Sequence, residues 1–86
     1  MNIQFHRNFE KQHKKLKKQE RVRAKERLIL FLKDEFNPML NNHPLSGKYK
    51  GYRSINITGD IRAIYKRYNH NICIFVDIGI HSNLYR

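Results

Sequence analysis

Between Tyr52 and Ile78 the chain alternates in character three times, and short clusters of turn residues separate the runs. Successive strand side chains point to opposite faces. Tyr52 to Ile57 therefore sets Arg53, Ile55 and Ile57 against Tyr52, Ser54 and Asn56. In Ile61 to Tyr68, Ile61, Ala63 and Tyr65 share one face, and Arg62, Ile64 and Lys66 the other. Ile72 to Ile78 is apolar on nearly both faces, which predicts a strand with neighbours on each side. The breaks at Thr58-Gly59-Asp60 and Asn69-His70-Asn71 are too short for a parallel crossover, so the three strands form an antiparallel meander.

The first half reads differently. Asn2 to Phe5 is a short edge strand. Arg7 to Lys18 carries Phe9 and Leu16 seven apart in a basic background, a helix with a narrow apolar stripe. Gln19 to Phe36 is a stronger helix, with Val22, Ile29 and Phe36 at heptad spacing and Leu28 and Leu32 on the same face. Periodicity alone places the break between the helices, since no Gly or Pro marks it. Asn37-Pro38 ends the second helix, because a residue before proline disfavours the α region. Met39 to Gly51 is a loop. The expected architecture is α+β: two N-terminal helices packed on a small antiparallel sheet, in the order β-α-α-β-β-β, as a single domain over residues 1–86.

A chain of 86 residues buries only roughly 60–65% of its unfolded surface, so the core is thin. Its 18 Lys and Arg against 7 Asp and Glu give a net charge of +11. That balance attracts polyanions, nucleic acid first among them. No apolar run approaches the ~20 residues needed to span a bilayer, and Met1 to Lys18 is too polar for a signal peptide. A cytoplasmic protein without a membrane partner is expected. Cys73, the only cysteine, lies in an apolar run and reads as a small buried filler.

The histidines bracket the meander: His43 stands before it and His81 after it. No CxxC or HxxxH pairing offers a metal site, so no metal or small-molecule cofactor is expected. RNA cleavage needs neither, because the ribose 2′-OH is its own nucleophile. The protein must move two protons and stabilise charge on phosphorus. His43, Asp60 and His81 are candidate acids and bases. Arg53, Arg62, Lys48 and Lys50 are candidate charge stabilisers, and Tyr52 and Tyr85 could stack on bases. The run holding Lys11, Lys14, Lys15, Lys17 and Lys18 reads either as a solvated helix face or as a phosphate-contacting surface on ribosomal RNA.

The segments HPL (His43), GYR (Gly51), GD-x-R-x-IYK (Gly59 to Lys66) and IGIHSNLY (Ile78 to Tyr85) together resemble the RelE superfamily of toxins from toxin–antitoxin pairs, in its YafQ-type branch. The resemblance covers His43 to Tyr85. It implies a ribosome-dependent endoribonuclease cutting messenger RNA by 2′-OH attack, held inactive by a cognate antitoxin. Position by position, His43, Asp60, His81 and Tyr85 match that branch's active-site histidine, aspartate, C-terminal histidine and C-terminal aromatic. Arg62 resembles the phosphate-holding strand arginine of other RelE-like toxins.

The chain departs from the branch where an acid and a histidine follow GYR: it has Ser54 and Asn56, and neither is a general base near neutral pH. Either Arg62 with His43 and His81 makes up a different set, or the chain is a weakened nuclease. Two other readings stay open, a ParE-like inhibitor of DNA gyrase and a basic RNA-binding module without chemistry.

Overall fold

A computed structural model of the protein describes residues 1–84; Tyr85 lies outside them. The elements are β1 (Asn2–Phe5), α1 (Arg7–Lys14), α2 (Lys18–Lys33), β2 (His43–Pro44), β3 (Arg53–Asn56), β4 (Ile61–Asn69), β5 (Ile72–Ile80) and α3 (His81–Leu84). They build one five-stranded sheet in the order β1-β5-β4-β3-β2. The β3-β4-β5 meander is antiparallel as expected. The sheet as a whole is mixed, because β1 pairs parallel with β5, Ile3 opposite Cys73 and Phe5 opposite Phe75. The intervening helices supply the crossover that a parallel pair requires.

Two differences from expectation bear on the site. His43 is not in a loop: with Pro44 it forms β2, antiparallel to β3, and His43 faces Ser54. A fifth strand therefore carries it onto the sheet. The helix α2 ends at Lys33, three residues before Phe36, because Asp34 is already extended (φ −157°, ψ 91°). Glu35 is instead drawn to the sheet, where Oε2 accepts from the Tyr65 hydroxyl at 2.7 Å and Oε1 pairs with Arg67.

The unmarked break between α1 and α2 has a side-chain explanation. Lys15 and Leu16 amides close the end of α1 on the carbonyls of Gln12 and His13. The Arg21 guanidinium then donates to the Leu16 carbonyl. The Glu20 carboxylate accepts from the Lys17 amide at 2.9 Å, satisfying a donor at the start of α2.

Helices α1 and α2 cover one sheet face. Phe9, Ala24, Phe31, Ile55, Ala63, Tyr65, Phe75 and their neighbours form the core. Phe31 stands edge-on to Tyr65 and Phe75 with ring centroids 4.8 and 5.2 Å away, geometry that aromatic quadrupoles favour. This corrects the stripe read from the heptad. Ala24 and Phe31 are buried, with Leu28 packed beside them, whereas Val22, Ile29 and Leu32 are about half exposed at 53, 46 and 47%. Phe36, beyond the helix, is exposed too. Residues 28–32 are apolar without a break, so period alone could not choose which stripe turns inward.

Candidate active site

The sheet register fixes what the helix-free face presents, the face that α1 and α2 leave uncovered and that only the short α3 touches, at one end. His43, Ser54, Ile64 and Asp77 are cross-strand partners in one row over β2, β3, β4 and β5. Asn56, Arg62 and Gly79 form the next row. Ile55, Ala63, Tyr65 and Phe75 point the other way, into the core. Between Ile64 and Tyr65 the β4–β5 register shifts by a residue at Val76. That bulge turns Asp77 onto the helix-free face, where simple alternation from Phe75 would have sent it inward. Strands lie ~4.8 Å apart and same-face neighbours ~6.8 Å apart. His43 and Arg62, two strands and one pleat repeat apart, are thus separated by about 12 Å at Cα.

Asp60, Arg62 and His81 meet at one end of this face. The β3–β4 turn is held by Thr58, whose Oγ1 accepts from the amides of Asp60 and Ile61 at 3.2 and 3.0 Å. The Arg62 guanidinium folds over the same turn and donates through Nη1 to the carbonyls of Thr58 and Gly59, both at 3.0 Å. The Asp60 carbonyl accepts from the His81 amide at 2.8 Å. The helix α3 then doubles back on the sheet, and buried Leu84 packs over Gly79, whose added Cβ would meet Leu84 Cδ2 at 3.6 Å. That packing holds the start of α3, and with it His81, beside the end of β5.

His43 is oriented by the turn that precedes β2. Its Nδ1 lies 2.9 Å from the Asn41 carbonyl. A carbonyl only accepts, so Nδ1 is the donor in this contact, and Nε2 is the ring nitrogen left to face outward contacts. Asn41 sits in the left-handed region (φ 45°) that lets the chain make this turn.

Ser54 and Asn56 stand on this face where the related pattern carries an acid and a histidine. Ser54 is fully buried, and Ser54 Oγ and Asn56 Oδ1 make no hydrogen bond. Buried polar atoms in that condition are uncommon.

Two further residues here escaped the sequence reading. Asp77 accepts from the Tyr49 hydroxyl at 3.4 Å through Oδ2 and from the Ile78 amide at 2.9 Å through Oδ1. Tyr49 and Tyr52 meet edge-on at 5.8 Å, and Lys66 Nζ lies 5.5 Å from the Tyr52 ring centre. Both tyrosines, with Lys48, line a shallow hollow of about 330 Å³ beside Asp77. The one available signal was Asp77 itself, the only charged residue in the run Ile72 to Ile80.

Arg53 does not join the cluster. It points to the helix side, where Nε donates to Asn42 Oδ1 at 2.7 Å and its guanidinium lies 5.2 Å from the Phe36 ring centre. Lys48 and Lys50 are exposed near the hollow. Lys11, Lys14, Lys15, Lys17 and Lys18 are all exposed on α1, its turn and the start of α2. Lys15 and Lys17 border a depression shared with Gly79, Ile80 and Asn83, which brings the basic run to the Arg62–His81 end. Cys73 is buried, and burial pushes its thiol pKa up. Among the described residues, no three His, Cys, Asp or Glu side chains converge as metal ligands, and no helix is long and apolar enough to cross a membrane.

A small basic α+β domain with two helices on one sheet face and histidines, an arginine and an aspartate gathered about the other has the architecture of the RelE/ParE-like toxins. The chain matches over residues 1–86 the family described as bacterial toxin of type II toxin-antitoxin system, YafQ, and belongs to that family. Its fold is similar to YafQ from E. coli strain BL21(DE3), at 24% identity and a TM-score of 0.83 over 99% of this chain and 98% of that one. It is similar to the E. coli DinJ-YafQ toxin-antitoxin complex at 25% identity, TM-score 0.76, covering 99% and 97%. The YoeB/ParE toxin from Agrobacterium tumefaciens shares the fold alone, at 15% identity and TM-score 0.78 over 94% and 99%. No curated protein matches the chain.

Proposed function

We propose that this toxin is a metal-independent endoribonuclease that cleaves messenger RNA on the ribosome, acting in the cytoplasm as one domain over residues 1–86, and that a cognate antitoxin holds it inactive. The observation that carries the reading is that the backbone brings Asp60, Arg62 and His81 next to one another around the β3–β4 turn, with His43 two strands from Arg62 on the same sheet. Membership of the toxin family supports it, and YafQ's occurrence in a complex with DinJ supports the antitoxin.

In the proposed reaction the ribose 2′-oxygen attacks phosphorus. A P–O2′ bond forms and the P–O5′ bond breaks, leaving a 2′,3′-cyclic phosphate and a 5′-hydroxyl. One protein group takes the 2′-OH proton, and another gives a proton to the departing 5′-oxygen, work worth about 10²–10⁴-fold for each. His81 is assigned one of these transfers. Arg62 holds the scissile phosphate and offsets charge developing on it. His43, presenting Nε2, and Asp60 position or polarise these groups, and Tyr85, outside the described residues, orients a base. Ser54 and Asn56 stand where the related pattern has ionisable groups, and their Oγ and Oδ1 atoms are buried, so a slower nuclease than its relatives is expected. Lys48, Lys50 and the Lys11–Lys18 run contact ribosomal RNA phosphates without reading sequence.

The test is cleavage of a defined messenger by the purified protein on translating ribosomes. Cleaved messenger is the expected result. Ribosome binding without cleavage would make the protein a non-catalytic RNA-binding module. Altered DNA topology in expressing cells that continue to translate would make it a gyrase inhibitor.

A further inference from the structure

The loop between β2 and β3 reaches back across the sheet. Gly47 and Gly51 both take positive φ, 63° and 91°, which L side chains rarely adopt, and Gly47–Tyr49 makes one 3₁₀ turn. The loop is closed at its base, where the Leu45 amide donates to the Tyr52 carbonyl at 2.9 Å. It lays Tyr52 beside Lys66 of β4 and carries the Tyr49 hydroxyl on to Asp77 of β5, at 3.4 Å. The Tyr49 and Tyr52 rings meet at 74° with centroids 5.8 Å apart, and so form a corner. The facing wall comes from α1, where Asn8 Nδ2 donates to the Val76 carbonyl at 3.0 Å and is pinned to the β5 bulge. The hollow between these walls, about 330 Å³, is at the small end of ligand-sized pockets.

We propose that this hollow receives one base of the messenger, next to the scissile phosphate, and that Asp77 selects a base carrying an exocyclic amino group. This rests on the nuclease reading above and deepens it with a base site and a preference. Three observations favour a base over the other parts of an RNA chain. A planar base can lie flat on one tyrosine ring and set its edge against the other, both contacts that aromatic rings support. Asp77 places a carboxylate at the corner, where a phosphate would meet like charge. Lys48 and Lys66, 5.3 and 5.5 Å from the Tyr49 and Tyr52 ring centres, supply the positive field that draws the chain in. Arg62 pairs with Gly79 and Ile64 with Asp77. Asp77 is therefore one strand and one pleat repeat from Arg62, roughly 8 Å at Cα, a span that one nucleotide bridges.

The preference follows from a carboxylate's being an acceptor only. Oδ1 of Asp77 takes the Ile78 amide and Oδ2 the Tyr49 hydroxyl, which leaves lone pairs for a ligand, since a carboxylate has about four such sites. Adenine, cytosine and guanine each offer an exocyclic N–H. Uracil offers one N3–H between two carbonyl oxygens, which the carboxylate repels.

The experiment uses the full-length protein in two arms. Single-turnover cleavage is measured on ribosomes programmed with messengers that differ only in the bases beside the cut. Fluorescence anisotropy measures binding of labelled tetranucleotides of the same sequences, made with 2′-deoxy sugars so that they cannot be cut. Wild type is compared with Tyr49→Leu, Tyr49→Phe and Asp77→Asn, and circular dichroism confirms that each folds. Wild type should favour A, C or G over U in both arms. Tyr49→Leu should lose about 10-fold or more in both, while Tyr49→Phe, which keeps the ring, stays within about 3-fold of wild type. Asp77→Asn should narrow the preference against U by about 10-fold, because an amide can also donate to uracil O4. Wild-type cleavage indifferent to the flanking bases, or full activity in Tyr49→Leu, overturns the base site and leaves the nuclease intact. Equal losses in Tyr49→Leu and Tyr49→Phe, with an unchanged preference in Asp77→Asn, would reduce the Tyr49–Asp77 contact to a brace for the loop and overturn it too. Tetranucleotide binding with the expected sensitivities, but no cleavage of any messenger, keeps the base site and overturns the nuclease reading. Neither binding nor cleavage by wild type overturns both.

Discussion

The amide of His81 donates to the carbonyl of Asp60 at 2.8 Å, and this single bond ties the start of the last helix to the β3–β4 turn. The turn is in turn shaped by Thr58 Oγ1, which accepts from the amides of Asp60 and Ile61. Thr58→Ala should therefore lower stability by about 1 kcal/mol and slow messenger cleavage about tenfold by loosening Asp60 and His81 together. Thr58→Ser keeps an oxygen in the same place and should restore most of both. Denaturant unfolding and the cleavage rate of the pair check this; equal losses in Ser and Ala variants would count against it.

The polar network at the other end of the sheet predicts a loss of stability without a change in chemistry. Tyr65 is fully buried, donates to Glu35 Oε2 and accepts from Asn42 Nδ2, each at 2.7 Å. Burial and the Glu35 carboxylate hold its hydroxyl pKa far above the usual tyrosine range, so it stays protonated. Tyr65→Phe leaves Glu35 and Asn42 each short of a partner and should cost about 1–3 kcal/mol. Because Asn42 also holds Arg53 and precedes His43, the size of this cost reports how firmly β2 is anchored. A midpoint shift too small to measure in urea would show that the network is dispensable.

His13 gives a pH dependence of definite sign. It stacks on Phe9 with centroids 5.9 Å apart, and burial, then the Arg21 charge, hold its pKa below the usual histidine value. The unfolded chain thus binds a proton near pH ~6.5 that the folded chain resists. Stability from this residue is complete above that pH and is lost as pH falls through the lowered folded pKa. His13→Gln should flatten the urea midpoint between about pH 5 and 6.5. A wild-type profile already flat there would contradict the assignment.

Much of the fold was legible because the meander is written in alternation and turn residues, which act locally. Asn2–Phe5 as a strand and the two helices followed from the same signals. The parallel pairing of β1 was not legible, since a four-residue strand carries no mark of its partner. Nor was the choice between two stripes on α2, which Phe31 settles only by filling the space between Tyr65 and Phe75. Motif spacing singled out His43, Asp60, Arg62 and His81 as candidates. The register then distinguished Arg62, on the helix-free face, from Arg53, on the other. Asp77 was missed because a one-residue bulge at Val76 reversed its face, and nothing local in the sequence announces that bulge.

The central claim is that His81 and Arg62 act on the RNA itself. Single-turnover cleavage on programmed ribosomes tests it most directly, with ribosome affinity measured in parallel. His81→Ala should slow the cleavage step by about 10²-fold or more, and Arg62→Ala by a similar factor through lost charge stabilisation, while both bind ribosomes as wild type does. Full single-turnover activity in His81→Ala would contradict the account and move the proton transfer to His43 or to the ribosome.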